Sequence, residues 1–317
     1  MALKFLVTGG LGHIGSKLIR EYAKRADIEL IRIFDNISTQ RYPALFDLPK
    51  THVKFEFIEG DINDINKIKE AMKDIDVVIH LASVTDAPST INNPELTHKS
   101  VFEGTWNIVN AAMHAKVRRF LYPSTTSVYG EAEGIVDENS PEESYKPASP
   151  YADSKRKTEK LLQKIAKETG FPVIILRKGT IFGTSIGMRF HTAVNKFCYL
   201  AAMNKPLTVW DSALNSKRPY LGLNDCISVY KFFETHGKIG EIYNVITKNF
   251  EMREIINAIR QVKLDVKIEI TKSPLLNQKP YHVGDNKIRD LGFVPKDDLN
   301  ENIRGTVELF KSIKNFS

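Results

Sequence analysis

The chain has 317 residues, 42% of them hydrophobic and 26% charged, with a formal net charge of +7. This is the composition of an ordinary globular protein, long enough for one large domain or two smaller ones sharing a core. The basic residues are scattered among acids rather than gathered in a block, which argues against nucleic-acid binding, and no apolar run approaches membrane-spanning length. Cys198 and Cys226 are the only cysteines. They offer neither metal-ligand spacing nor a disulfide framework, which fits a reducing cytoplasm. The chain enters a strand almost at once, so no signal peptide is expected before it.

Residues 3–7 form a short apolar run that reads as a buried strand. Next comes Thr8-Gly9-Gly10-Leu11-Gly12-His13-Ile14-Gly15, and residues 16–24 have helix composition with Leu18, Ile19 and Tyr22 on one side. In a strand–glycine turn–helix unit the glycines allow a sharp turn and close approach to a pyrophosphate. The helix N-terminus supplies free N–H groups and partial positive charge. A glycine triplet alone also fits a plain tight loop. The second strand, residues 28–34, ends in Asp35, about 20 residues past Gly15, where a carboxylate can accept hydrogen bonds from an adenosine ribose. The same carboxylate repels a ribose phosphate, so NAD is favoured over NADP. A strand-end turn residue is the plainer account of Asp35.

Strand and helix patterns then alternate. Strands are expected at 53–58, 77–81, 119–123 and 173–176, and helices at 66–72, 96–115 and 151–169. That alternation implies an α/β fold, a Rossmann-type doubly wound parallel sheet covered on both faces. After Arg177 the pattern breaks. Residues 179–187 are rich in turn formers. Helices are expected at 190–203, 225–235, 252–262 and 299–313, with short strands at 207–210, 242–246 and 268–270. The expected organisation is a dinucleotide-binding domain over 1–178 and a smaller, mixed α/β substrate-binding domain over 179–317, with the chain returning to the first around 220–246.

Two clusters carry chemistry. Tyr151 and Lys155 lie one helical turn apart on one face. An ammonium near a phenol favours phenolate, which lets tyrosine exchange protons near neutral pH, although many helices carry such a pair on their surface. The stretch Tyr122-Pro-Ser-Thr-Thr-Ser-Val-Tyr-Gly130 places hydroxyls directly after a strand, at the carboxyl end of the sheet where open α/β sheets bind ligands. An ordinary polar turn would look the same.

Together these features resemble the extended short-chain dehydrogenase/reductases, in their nucleotide-sugar epimerase/dehydratase branch. The residues that carry the likeness are Thr8-Gly9-Gly10-x-Gly12-x-Ile14-Gly15, Asp35-Asn36, Gly60-Asp61-Ile62, His80-Leu81-Ala82, Gly104-Thr105-x-Asn107, Ser124 to Gly130, Tyr151-x-x-x-Lys155, Leu176-Arg177 with Phe182-Gly183, and Arg218-Pro219-Tyr220. The resemblance implies that NAD is the cofactor, with Gly9, Gly12, His13, Ile14 and Gly15 at its pyrophosphate, Asp35 and Asn36 at the adenosine ribose, and Asp61 and Ile62 beside the adenine. Leu81, Ala82 and Ser83 border its middle, and Lys155 and Lys178 its nicotinamide end. It implies Tyr151 as the proton-transfer residue, tuned by Lys155, with Thr125 as the hydroxyl partner of the substrate. Thr85, Thr126, Thr180, Arg189 and Arg218 are the implied substrate contacts, the arginines towards a nucleotide diphosphate. Arg189, within Met188-Arg189-Phe190, also reads as a surface arginine. Lys279 and His282 are weaker candidates, and His80 is a structural histidine. Thr180 stands where an asparagine is common, and so does Val101.

In the family's sugar dehydratases an Asp-Glu pair follows the catalytic threonine; here Thr126-Ser127 stand there. Expelling water needs a base and an acid, so a 4,6-dehydratase is disfavoured, and the expected activity is an NAD-dependent nucleotide-sugar 4-epimerase. A nucleotide-sugar reductase, dehydrogenase or decarboxylase of the same family, and a non-catalytic NAD-binding regulator, are the alternatives. The resemblance further implies a homodimer.

Overall fold

The computed structural model describes residues 2–85, 90–130, 134–272 and 281–313. Strand β1 (Leu3–Thr8) leads into the glycine turn and helix α1 (His13–Tyr22) leaves it. Strands β2 (Ile28–Asp35) and β3 (Lys54–Glu59), helix α2 (Ile65–Ala71) and strand β4 (Val77–His80) follow. Helix α3 (Pro94–His98) passes through a π-helical turn at Lys99–Glu103 into α4 (Gly104–His114), then β5 (Arg119–Thr125). After β6 (Ile135–Val136) come α5 (Pro150–Thr169) and β7 (Val173–Lys178). The remainder is β8 (Thr180–Phe182), α6 (Ala193–Ala202), β9 (Leu207–Trp210), β10 (Lys217–Gly222), α7 (Leu223–Phe233), β11 (Ile242–Val245), β12 (Lys248–Glu251), α8 (Met252–Val262), β13 (Ile268–Thr271), β14 (His282–Val283), α9 (Asn286–Asp290) and α10 (Leu299–Glu308).

Seven strands form one parallel sheet in the order β3-β2-β1-β4-β5-β7-β11. Because successive side chains point to opposite faces, the sheet builds two cores. Phe5, Val7, Ile174 and Leu176 meet α1 and α7 on one face, around Leu18, Tyr22, Tyr230 and Phe233. Leu6, Val173 and Ile175 meet α2, α4 and α5 on the other, around Ile68, Ile108 and Leu162. This is a Rossmann-type doubly wound sheet. The strand order reverses beside β1, so the carboxyl ends of β1, β2, β4, β5 and β7 open onto a shared crevice. A third core gathers Phe182, Phe197, Val209, Tyr220, Ile259 and Ile303 from β8, α6, β9, β10, α8 and α10. Three short strands pair there as β12-β10-β8, and β9 pairs with β13.

Two local departures have physical reasons. The turn's last glycine lies inside α1, which begins at His13 rather than after Gly15. A Cβ on Gly15 would stand 2.6 Å from the Gly10 backbone, so the helix packs directly on its own turn. The expected single helix over 96–115 is broken by the π turn. Gly104 follows it, pressed so closely on Ile62 that a Cβ there would overlap the Ile62 side chain.

Candidate active site

The glycine turn is a cradle walled by backbone. Gly9 has φ +64, and a Cβ on it would sit 2.6 Å from the Ala82 amide nitrogen, so neither its conformation nor its surroundings admit another residue. Gly12, in extended backbone, starts α1, and the position of its missing Cβ is 3.7 Å from Arg41 Nη1. Among the described residues of the turn only His13 carries a large polar side chain, and it is turned aside: Nε2–H donates to the Gly183 carbonyl at 3.0 Å. Burial, with Arg189, Arg41 and His191 adding to it, pushes the His13 pKa down to about 4 despite that bond. Ile14 packs against the core. What remains open is a helix N-terminus facing the crevice, which suits a pyrophosphate.

At the end of β2, Asp35 accepts from the Leu11 amide at 3.1 Å and the Ile37 amide at 2.9 Å. Asn36 donates to Asp61 at 2.8 Å. Burial tends to raise the Asp61 pKa, but hydrogen bonds from Asn36 and Asn63 outweigh it and hold the carboxyl low. Ile62 is buried beneath Gly104 and belongs to the sheet's core. Leu81 and Ala82 are tied to β1, their amides bonding the Thr8 carbonyl and Thr8 Oγ1, and Ser83 Oγ donates to the Val84 carbonyl. His80 lies behind this edge. Thr8 Oγ1 is 2.7 Å from its Nδ1, and its Nε2 is 3.1 Å from Thr105 Oγ1. Thr105 Oγ1 itself donates to the Val101 carbonyl, so His80 is the neutral Nε2–H tautomer, with its pKa driven to about 3 by burial and then by Lys155.

Helix α5 begins with Ser149 capping the Ala152 amide, which sets Tyr151 and Lys155 one turn apart at its start. Lys155 Nζ donates to the Pro123 carbonyl at 2.8 Å and lies 5.8 Å from the centre of the Tyr151 ring. The electrostatics differ from the sequence expectation. Burial raises the Tyr151 pKa, and the cation that opposes the rise is Arg189, not Lys155. Burial, reinforced by Lys178, brings Lys155 down to about 7 against the pull of Glu159. At this depth the loss of hydration disfavours each charged form more than the neighbouring charges restore it.

Thr125 ends β5, its Oγ1 accepting from the Ser127 amide and donating to Ser127 Oγ, each at 3.1 Å. Thr126 Oγ1 donates to the Lys178 carbonyl at 3.3 Å. Lys178 pairs in register with Thr125 and donates from Nζ to the Tyr230 hydroxyl at 3.1 Å. Arg189 hydrogen-bonds Thr85, joining the loop after β8 to the loop after β4. Gly187 presses the same loop onto the turn: its amide donates to Ser16 Oγ at 3.0 Å, and a Cβ there would stand 2.3 Å from the Leu11 carbonyl oxygen. Thr180 is exposed at the start of β8, and the Arg218 guanidinium stacks 5.2 Å from the Tyr281 ring. His282 lies in β14, which pairs with β6, and Lys279 lies outside the described residues.

The crevice therefore gathers the glycine turn, Asp35, Leu81 to Thr85, Thr125, Tyr151, Lys155, Lys178 and Arg189. Sequence reasoning missed two members. Arg41 reaches the turn from the loop after β2, its pKa lowered to about 10 by burial and Arg189, with Asp35 opposing. Tyr230 reaches Lys178 from α7. No local pattern marks either, because both meet the site only through the folded sheet.

Residues 5–245 match the model of the NAD dependent epimerase/dehydratase family. The dTDP-D-glucose 4,6-dehydratase of Mus musculus is 32% identical over 99% of this chain and 90% of its own length. Among solved structures, the UDP-glucose 4-epimerase of Thermus thermophilus, determined with NAD, superposes with a TM-score of 0.85 at 24% identity, covering 98% of this chain and 99% of that one. The UDP-Glc/GlcNAc 4-epimerase of Campylobacter jejuni superposes with a TM-score of 0.82 at 25% identity, covering 98% and 100%. With that match and this architecture, the chain belongs to the NAD dependent epimerase/dehydratase family.

Proposed function

We propose that the chain is a nucleotide-sugar 4-epimerase that keeps NAD through its cycle. The glycine turn and the α1 N-terminus would hold the pyrophosphate, with Asp35 and Asn36 at the adenosine ribose and Leu81 to Ser83 along the cofactor's middle. When bound, NAD supplies the acceptor and donor of hydride at the sugar's carbon 4. The chain's own residues handle the protons. Tyr151, as phenolate, takes the proton of the sugar's 4-hydroxyl, Thr125 shares a hydrogen bond with the same oxygen, and Arg189 is the cation that favours the phenolate against burial, with Lys155 held one turn away by the Pro123 carbonyl. Arg189 and Arg218 anchor the nucleotide diphosphate while the 4-keto sugar presents its other face, and the steps then run in reverse.

The observation that carries this reading is the pair of residues after Thr125. Thr126 and Ser127 are hydroxyl residues, and Thr126 is engaged with the Lys178 carbonyl. Neither can supply the base and acid that loss of water demands. The runner-up is a 4,6-dehydratase, favoured by the names of the mouse and human relatives at 32% and 31% identity. Incubation with UDP-glucose, UDP-N-acetylglucosamine and dTDP-glucose, without added NAD, separates the two. The 4-epimer without net nicotinamide turnover is expected; accumulation of a 4-keto-6-deoxy sugar would sink the epimerase reading in favour of the dehydratase. Tyr151→Phe is expected to lower turnover by roughly 100-fold or more while leaving NAD binding intact; full activity in that variant would remove Tyr151 from the chemistry.

A further inference from the structure

Two ammonium groups are buried side by side at the carboxyl ends of β5 and β7. Lys155 is 2% exposed and Lys178 is 8% exposed. Each is held by a neutral oxygen, the Pro123 carbonyl and the Tyr230 hydroxyl, and each lies over an aromatic face, Tyr122 at 4.6 Å and Tyr230 at 5.4 Å. Charges this deep ordinarily have a carboxylate beside them. Among the described residues neither lysine makes an ion pair. Glu159 is the carboxylate that acts on Lys155, and it is committed to two bonds from Arg177 and one from Ser124. Burial lowers the Lys178 pKa, with Cys226 on α7 opposing; Tyr230 on α7 accepts its hydrogen bond, and Lys178 acts in turn on Lys155. Whatever positive charge the two lysines carry therefore meets, among the described residues, no carboxylate that is free to balance it.

We infer that Lys178 is a positioning residue for charge: held by Tyr230 beside the catalytic pair, it makes this cleft bind the reduced dinucleotide more tightly than the oxidised one. The inference rests on the proposed function, which brings the nicotinamide ring to Tyr151. That ring is cationic when oxidised and neutral when reduced. In the step concerned, the carbon 4–hydrogen bond of the sugar breaks and its electron pair and hydrogen go to the ring. The hydroxyl proton goes to Tyr151, so the sugar is oxidised by two electrons and the ring is reduced by two. A protonated Lys178 in the same cleft opposes the oxidised ring, and at the effective dielectric of protein sites a like charge of this kind amounts to a factor of about ten or more in relative affinity. Lys178 thereby favours the half-reaction that creates the 4-keto sugar.

The test is a competitive titration of the purified protein with NADH against NAD, read by the fluorescence of bound NADH. The unmodified protein is expected to prefer NADH by about tenfold or more. Lys178→Met and Lys178→Gln should each reduce that preference by about tenfold, and Lys178→Arg should preserve it. Equal affinities in the unmodified protein overturn the inference without any variant, and so does an unchanged preference in a folded neutral variant. Absence of binding by either dinucleotide would sink the functional reading itself, an outcome distinct from binding without preference.

Discussion

Arg177 and Lys178 are neighbours on β7 and face opposite sides of the sheet. Both are buried cations, yet their surroundings have nothing in common. Arg177 is fully matched: its Nε and Nη2 bond the two Glu159 oxygens at 3.0 and 2.7 Å, its Nη1 reaches the Tyr145 hydroxyl at 3.2 Å, and its plane lies over the rings of Tyr129 and Tyr145. Ser124 adds a bond to the same carboxylate, so the pair locks β5, β7 and α5 together. Lys178 has one phenol. A planar fork answered by a planar carboxylate is how a fold fixes geometry. An ammonium left without its counter-ion is how a fold stores potential for a ligand. The contrast separates a cation that ties β7 to β5 and α5 from one that meets only α7.

The contrast can be broken most visibly on the Arg177 side. Arg177→Met leaves Glu159 buried and uncompensated, and is expected to cost about 3–5 kcal/mol of stability. Lys178→Met removes a charge that has no partner and should leave stability equal or higher. Urea unfolding of the two variants against the parent measures both, and equal losses would show that the two sides do not differ.

A second, smaller effect lies in pH. His80 and His13 are held neutral, with pKa values of about 3 and about 4 against 6.5 for the free side chain. The unfolded chain therefore binds protons below pH 6.5 that the fold refuses. The contribution of these two groups is complete above that value and is lost as pH falls, each histidine giving a slope of about 1.4 kcal/mol per pH unit until its folded pKa is reached. Thermal unfolding at pH 7 and pH 5 should show the decline, and His80→Asn should flatten it by one proton's worth. A slope unaltered in that variant would place the proton uptake elsewhere.

The smallest effect is a control remote from both sides of β7. Asp64 caps α2, its Oδ1 accepting from the Asn66 and Lys67 amides at 3.0 and 3.1 Å. Asp64→Ala should cost about 1 kcal/mol by the same urea measurement and leave cofactor preference unmoved. A cost near that of Arg177→Met would mean that the scale used for the comparison is wrong.

What is legible in the sequence is local. The first strand, the glycine turn and the strand that ends at Asp35 follow from pattern, because the geometry of a turn is written in contiguous residues. One helical turn puts Tyr151 and Lys155 on one face, but only the family resemblance singles them out from the many helices that carry such a pair. The strands β8, β10 and β12 are not legible: β8 and β12 are short, β10 contains Pro219 and ends at Gly222, and pairing rather than pattern holds them. The π turn at Lys99–Glu103 reads as continuous helix, since apolar periodicity barely registers one extra residue. The tuning of Tyr151 escapes the pattern because spacing offers Lys155 as its neighbour, whereas Arg189 comes from a loop distant in the chain. The Lys178–Tyr230 bond has the same origin, two residues from separate elements that meet only across a folded face.

Gly187 completes the glycine turn without belonging to its motif. Its amide grips Ser16, and its bare Cα fits against the Leu11 and Gly12 carbonyls where even a methyl would collide. The shape that residues 8–15 encode is thus completed by a residue far down the chain, and any side chain at 187 would have to displace the turn it rests on.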